Sequence, residues 1–212
     1  MKLLPLKKIF EMILVKREFL ALVFVNLFFQ LGITYVIMER TTDAKKKYNF
    51  CLLFFAIIAI LIILIIPMHP ILKFALFCVF SYIFGILLSV IKEKHNEEQI
   101  KIAIQSALSV FGAMILTALG LLVGGIRLGY KFGIFLFFSL LALIIIRLIN
   151  LFNNSFNNQI LSIIGTILFS LYVLYDTHVI LNRNYNGDFI HASMAYYLDI
   201  TNLFTNILRS EE

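Results

Sequence analysis

Gln159-Ile-Leu-Ser-Ile-Ile-Gly-Thr-Ile-Leu-Phe-Ser-Leu-Tyr-Val-Leu-Tyr-Asp176-Thr-His-Val-Ile-Leu181 is an apolar run with a carboxylate inside it. About 20 such residues, rising 1.5 Å each, make a helix that crosses the hydrocarbon core of a bilayer. A short loop later, Ala195-Tyr-Tyr-Leu-Asp199-Ile-Thr-Asn-Leu-Phe204 repeats the combination. A carboxylate in that setting costs roughly 2.5–3.5 kcal/mol on insertion scales unless it is paired, protonated or water-lined. Two of them on consecutive helices point to one shared site.

The rest of the chain has the same character. Of its 212 residues 61% are hydrophobic and only 14% charged, and its mean hydropathy is +0.97. That usage excludes an ordinary water-soluble domain. Seven candidate spans follow from the apolar runs: Phe19–Met38, Tyr48–Pro67, Ile71–Ile91, Ile102–Ile126, Phe132–Ile149, Gln159–Leu181 and Phe189–Leu208. The expected fold is therefore all-α, a seven-transmembrane-helix bundle forming one multi-pass membrane domain over residues 1–212. Met68-His69-Pro70 is a tight hairpin between the second and third spans, where proline blocks helix continuation. Asn153 to Asn158 is a polar turn between the fifth and sixth.

The last span is unusually polar. Asp199, Asn202 and Asn206 follow i, i+3, i+7 spacing and so share one face. Polar residues in membrane helices face the bundle interior or a water-filled cavity, which makes this helix the central one. A re-entrant hairpin is the competing geometry. With all seven segments spanning, the 18 Lys and Arg divide nine and nine, so the positive-inside rule assigns no orientation.

The formal charge of +6 sits on short tails and loops, as basic anchors at a membrane surface do. No basic patch interleaved with aromatics is present, so nucleic acid is not an expected partner. Lys2, Lys7, Lys8, Lys16 and Arg17 could form a signal-peptide n-region. The long apolar run after them, with no small-x-small cleavage site, favours a retained helix. Cys51 and Cys78 lie inside apolar runs and read as small lipid- or core-facing residues.

Asp176 and Asp199 are the principal site residues. If they meet, repulsion and desolvation oppose double ionisation and one proton is shared. Such a pair senses pH: closed with its proton, open or cation-binding without it. The bland reading has each aspartate capping a helix or bonding to Asn, Ser or Tyr separately. Asn202 and Asn206 are candidate ion-path neighbours, and His178 could tune the titration, although an interfacial polar role is the commoner one for such a histidine. His69, His95 and His191 show no metal-ligand spacing, so no zinc site is expected. Gly120-Leu-Leu-Val-Gly124 has the small-xxx-small spacing that permits close helix contact. Asn26 and Gln30, and Gln105, Ser106 and Ser109, read as interhelical hydrogen-bond partners, with pore lining as the alternative.

The segments Ile164-Gly-Thr-Ile-Leu-Phe-Ser-Leu-Tyr-Val-Leu-Tyr-Asp176-Thr-His178 and Tyr197-Leu-Asp199-Ile-Thr-Asn-Leu-Phe-Thr-Asn-Ile-Leu-Arg209 resemble the two signatures of the transmembrane Bax-inhibitor-motif family. The match covers about the last 50 residues. The Tyr-Asp-Thr-His run is similar to the Golgi anti-apoptotic branch, and the Gly-Thr-Ile-Leu-Phe-Ser-Leu-Tyr run to bacterial pH-sensitive calcium-leak members. The resemblance implies a seven-helix bundle with a central last helix, passive calcium release, and suppression of cell death in eukaryotic or viral settings. The family's paired aspartates fall on Asp176 and Asp199. In bacterial members an arginine at the end of the second helix pairs with them, but this chain reads Ile65-Ile-Pro67-Met-His69 there, leaving His69 or Lys73 as substitutes. Golgi-type members also carry a glutamate in the third helix, where this chain is apolar around Phe84.

Calcium prefers oxygen ligands in a flexible shell, and an ion path needs ligands weak enough to release the ion. Asp176 and Asp199 fit a transient calcium contact, with calcium as the transported ion and no tightly bound cofactor. The expected partners are the lipid bilayer, calcium ions and protons, and other membrane proteins if the chain acts as a scaffold. The expected membrane is the ER or Golgi in a eukaryotic or viral setting and the plasma membrane in a bacterium. The rival class is an intramembrane aspartyl protease, which also shares a proton between two aspartates. Tyr175-Asp176 matches its first motif, but Tyr196-Tyr-Leu-Asp199 lacks the glycines of its second. A non-conducting scaffold is the third reading.

Overall fold

The computed structural model describes residues 6–41, 49–153 and 156–211. Among them the chain is entirely helical, in the order α1 (Leu6–Val15), α2 (Arg17–Arg40), α3 (Asn49–Ile65), α4 (Pro70–Lys92), α5 (Glu97–Val123), α6 (Tyr130–Asn153), α7 (Asn158–Asn182) and α8 (Phe189–Ser210). Each of the seven apolar runs forms a helix. Tyr48, the first residue of the expected second span, and Lys2 of the basic N-terminus lie outside the described residues.

Among the described residues five helices are long and apolar enough to cross a membrane: α2, α4, α5, α6 and α7. Helix α3 is apolar, with 17 described residues, and α8 is diluted by Asp199 and its polar stripe. Helix α1 is an addition to the expected elements. It precedes the first span and carries Lys7 and Lys8 of the basic N-terminal stretch, with Phe10, Leu14 and Val15 exposed. Helices with one apolar face and basic flanks lie in the headgroup layer of a bilayer.

The helix ends follow local chemistry. Pro70 occupies the first turn of α4, where its missing N–H is no loss, and His69 Nδ1 accepts from Ile71 N at 3.4 Å. Helix α5 stops three residues short of the expected Ile126. Gly125, at φ 75°, takes the left-handed conformation, with Ile126 N donating to Leu121 O and Gly125 N to Leu122 O. Those two bonds satisfy the last carbonyls of the helix, and a glycine adopts that φ without strain. Asn157 Oδ1 caps α7 by accepting from Gln159 N and Ile160 N. Asp188 caps α8 through His191 N at 3.0 Å.

The chain forms two compact units. One contains the described residues of Met1–Arg17, Glu98–Asn184 and Leu198–Glu212. Its core is a cluster of Leu136, Leu143, Leu161 and Leu168, against which Phe132, Tyr172 and Tyr175 pack. The other contains Glu18–Glu97 and Tyr185–Tyr197. Its core is aromatic: Phe77, Phe80 and Phe84 surround the ring of Tyr197 at centroid distances of 5.3–6.2 Å. Beside it runs a buried polar file. Asn26 Nδ2 donates to Ser193 Oγ at 2.5 Å, Gln30 Nε2 to Asn26 Oδ1 at 3.3 Å, and Ser81 Oγ to Gln30 Oε1 at 2.8 Å. Asn26 and Gln30 thus make the interhelical bonds expected of them. Ser109 does not: it is exposed and bonds to Gln105 O of its own helix. The Gly120–Gly124 spacing also brings nothing close to Gly120. The tight approach occurs at Gly85, where a Cβ would lie 2.7 Å from Thr34 O.

Large apolar side chains are exposed along the outer faces, Phe135, Phe137 and Phe138 of α6 and Ile160, Ile163, Ile164 and Ile167 of α7 among them. A water-soluble protein does not carry apolar surface on this scale. The molecule is a multi-pass membrane protein, and the lipid bilayer is its surrounding.

Candidate functional site

Helix α7 carries Asp176 and the second part of α8 carries Asp199, both in the first unit. The two carboxyl groups lie within side-chain hydrogen-bonding reach of each other. Asp199 is 3% exposed, and its Oδ2 is buried without a bond from any donor among the described residues. Two ionised carboxylates have no donor between them, so this contact needs a proton on one of the two. Tyr172, one turn before Asp176, lies near enough to feel both aspartates. Tyr175 turns away and packs on Phe132, with ring centroids 6.0 Å apart.

The other sequence candidates are engaged elsewhere. His178 is buried, with Nδ1 facing Leu174 O at 3.2 Å and Nε2 facing Ile126 O at 3.3 Å. Asn202 Nδ2 donates to Leu198 O, and Asn206 Nδ2 to Asn202 O, each at 2.7 Å along α8 itself. Each amide thus spends one of its two N–H donors on its own helix. His69 serves as the cap of α4. Lys73 forms an ion pair with Asp188 at 2.5 Å, its side chain 8% exposed. Among the described residues no three His, Cys, Asp or Glu side chains gather as a metal cluster.

One functional-looking residue escaped the sequence reading. Arg147 interrupts Ile144-Ile-Ile-Arg147-Leu-Ile in α6, and an arginine inside a span is by itself a signal of a special role. Its Nη2 donates to Leu161 O at 3.3 Å and to Asn206 Oδ1. Gly165 makes room for this: a Cβ there would run into the Asn206 amide and come within 3.1 Å of Arg147 Nη2. Asn206 lies seven residues beyond Asp199, about 10 Å along the helix axis, so Arg147 holds α8 at a different level from the aspartate pair. At the start of the first span, Lys16 donates to Ile180 O at 3.0 Å and Arg183 O at 2.7 Å. A cation there complements the carbonyl end of α7, and partial burial pulls its ammonium below the usual lysine value.

Residues 16–210 match the family model described as inhibitor of apoptosis-promoting Bax1. The chain belongs to the Bax-inhibitor family. That match runs from Lys16 to Ser210, so α2 to α8 lie inside it and α1 before it. Among relatives, Protein LIFEGUARD 1 of Arabidopsis thaliana is 32% identical over 111 residues, 50% of this chain and 45% of its own length. Bax inhibitor 1 of Schizosaccharomyces pombe is 40% identical over 81 residues, 37% of this chain and 30% of its own. The Golgi anti-apoptotic protein of Vaccinia virus (strain Lister) is 35% identical over 80 residues, 37% of this chain and 34% of its own. These alignments thus span less than half the length of the relatives they match.

Proposed function

We propose that this Bax-inhibitor family member is a passive calcium leak whose gate is the proton shared by Asp176 and Asp199. The observation that carries the reading is the carboxyl–carboxyl contact with Asp199 buried. With the proton in place the pair is neutral, and the bond ties α7 to α8. Without it, two anions face each other where little water screens them, and they either separate or take a cation between them. Calcium accepts such oxygen ligands in an irregular shell. Two carboxylates with no third beside them among the described residues would bind it weakly enough to let it pass.

The reading includes seven spans, α2 to α8, with α8 as the inner helix. The complete burial of Ala192, Met194, Tyr197, Leu203 and Leu208 along its length supports that part. In a eukaryotic or viral host the protein would restrain cell death from an ER or Golgi membrane, as the name of the Vaccinia relative suggests. In a bacterium the leak would act at the plasma membrane.

The test is calcium entry into dye-loaded liposomes carrying the purified protein. Flux should rise as pH rises and the shared proton leaves, and Asp176→Asn or Asp199→Asn should abolish that dependence. Flux indifferent to pH and to both substitutions would sink the proposal. Cleavage of a membrane-embedded peptide, lost in both variants, would replace it with the protease reading.

A further inference from the structure

The ends of α6, α7 and α8 converge in a group of polar contacts that the aspartate pair does not use. Arg147 of α6 reaches Leu161 O of α7 and Asn206 of α8. Gln159 Nε2, in the first turn of α7, donates to Ser210 O in the last turn of α8 at 3.0 Å. Arg209 follows Asn206 at i+3, on the same side of α8, and lies close enough to Arg147 for their charges to repel.

Neither arginine has a carboxylate partner among the described residues. Glu211, the acidic residue next along the described chain, is exposed and pairs with neither. Both bonds of Arg147 use Nη2. Its Nε and Nη1 make no hydrogen bond among the described residues, and neither is sealed from the surroundings. Two partly buried guanidinium groups held together without a counter-charge among the described residues are an unfavourable arrangement by themselves. An oxyanion between them reverses the sign, because the guanidinium fork donates two parallel bonds to phosphate. The location suits such a ligand. Arg147 lies in the last two turns of α6, which ends at Asn153, close enough to the end of the span for its long side chain to reach the interface, where basic residues between helices hold anionic headgroups.

We propose that Arg147 and Arg209 form a binding site for a phosphate oxyanion, supplied by the headgroup of an anionic phospholipid or by free phosphate. Asn206 and Gly165 set the reach of Arg147, and Gln159 fixes the end of α8 that carries Arg209.

The full chain is purified in mild detergent and given phosphatidylglycerol and phosphatidylcholine in equal amounts, and retained lipid is read by native mass spectrometry. In a parallel arm, thermal unfolding is followed with inorganic phosphate against matched chloride. The wild-type chain should retain phosphatidylglycerol preferentially. Arg209→Gln, at a partly buried position whose side chain makes no hydrogen bond among the described residues, should reduce the preference about fivefold, the weight of one cation at a lipid surface. Arg147→Lys keeps the charge but not the fork, and should fall between the two. A phosphate-induced stabilisation without lipid preference, removed by Arg209→Gln, would support the site and assign it to the free ion. Equal retention of both lipids with no phosphate effect would overturn the proposal. So would an Arg209→Gln chain of native helicity that kept the full preference.

Discussion

Replacing Gly165 by alanine adds one methyl group at the crossing of α6, α7 and α8. The new Cβ would overlap the Asn206 amide and approach Arg147 Nη2 to 3.1 Å. It is fixed to the backbone of α7, so the Asn206 side chain has to move, and the Arg147–Asn206 bond goes with it. Overpacking of this kind costs about 1–3 kcal/mol, and a hydrogen bond to a charged group contributes about 1.5–3 kcal/mol. The two terms describe partly the same displacement, so the expected loss is about 2–4 kcal/mol, on the order of ten degrees in melting temperature. The chain contains no tryptophan, so unfolding in detergent is best followed by circular dichroism. Asn206→Ala removes the group that is struck. Placed in that background, Gly165→Ala should cost at least 1 kcal/mol less than in the wild-type chain, a coupling typical of residues in contact. Wild-type melting of Gly165→Ala, or an undiminished cost beside Asn206→Ala, would refute the packing argument.

In the proposed gate one proton serves both aspartates, so Asp176→Asn combined with Asp199→Asn should alter the pH profile of calcium flux no more than either change alone, whereas independent sites would give additive effects. In the second unit, Asp188→Ala strands the Lys73 ammonium, whose side chain is only 8% exposed, and should cost about 3–5 kcal/mol in thermal unfolding. Lys73→Met should cost less, since Asp188 is 34% exposed and keeps its cap on His191 N; equal losses would show that the pair's burial does not set the cost. Tyr197→Phe removes a hydroxyl 2.5 Å from Thr34 Oγ1, but the single Thr34 hydroxyl proton still has Gln30 O at 3.0 Å and Ser81 O at 3.1 Å as acceptors. The expected loss is about 1 kcal/mol, and a loss several times larger would show that the file of polar groups depends on this phenol.

The amino-acid sequence by itself determined the helices. Hydropathy and length locate all seven apolar segments, because a span must satisfy its backbone internally and present apolar side chains over about 20 residues. Their ends moved by a few residues where a cap or a left-handed glycine decided the matter, as at Asn157 and Gly125. The aspartates were visible as well, since a carboxylate in an apolar run stands out without knowledge of any contact. Pairing was a different matter. Lys73, Asn206 and His178 are polar groups in apolar surroundings like Asp176, yet only the tertiary arrangement directs Lys73 to Asp188, Asn206 to Arg147, and His178 to Ile126 O. Gly85 carried no signal in the sequence and Gly165 only its place in a family signature, while Gly120 and Gly124 carried the recognisable spacing. Which glycine matters depends on what crosses it, and that is set by helix rotation and tilt. A helix declares its apolar content residue by residue, but its partner's side chains come from sequence positions far away. The Asp176–Asp199 contact and the Arg147–Arg209 cluster both arise at that second level.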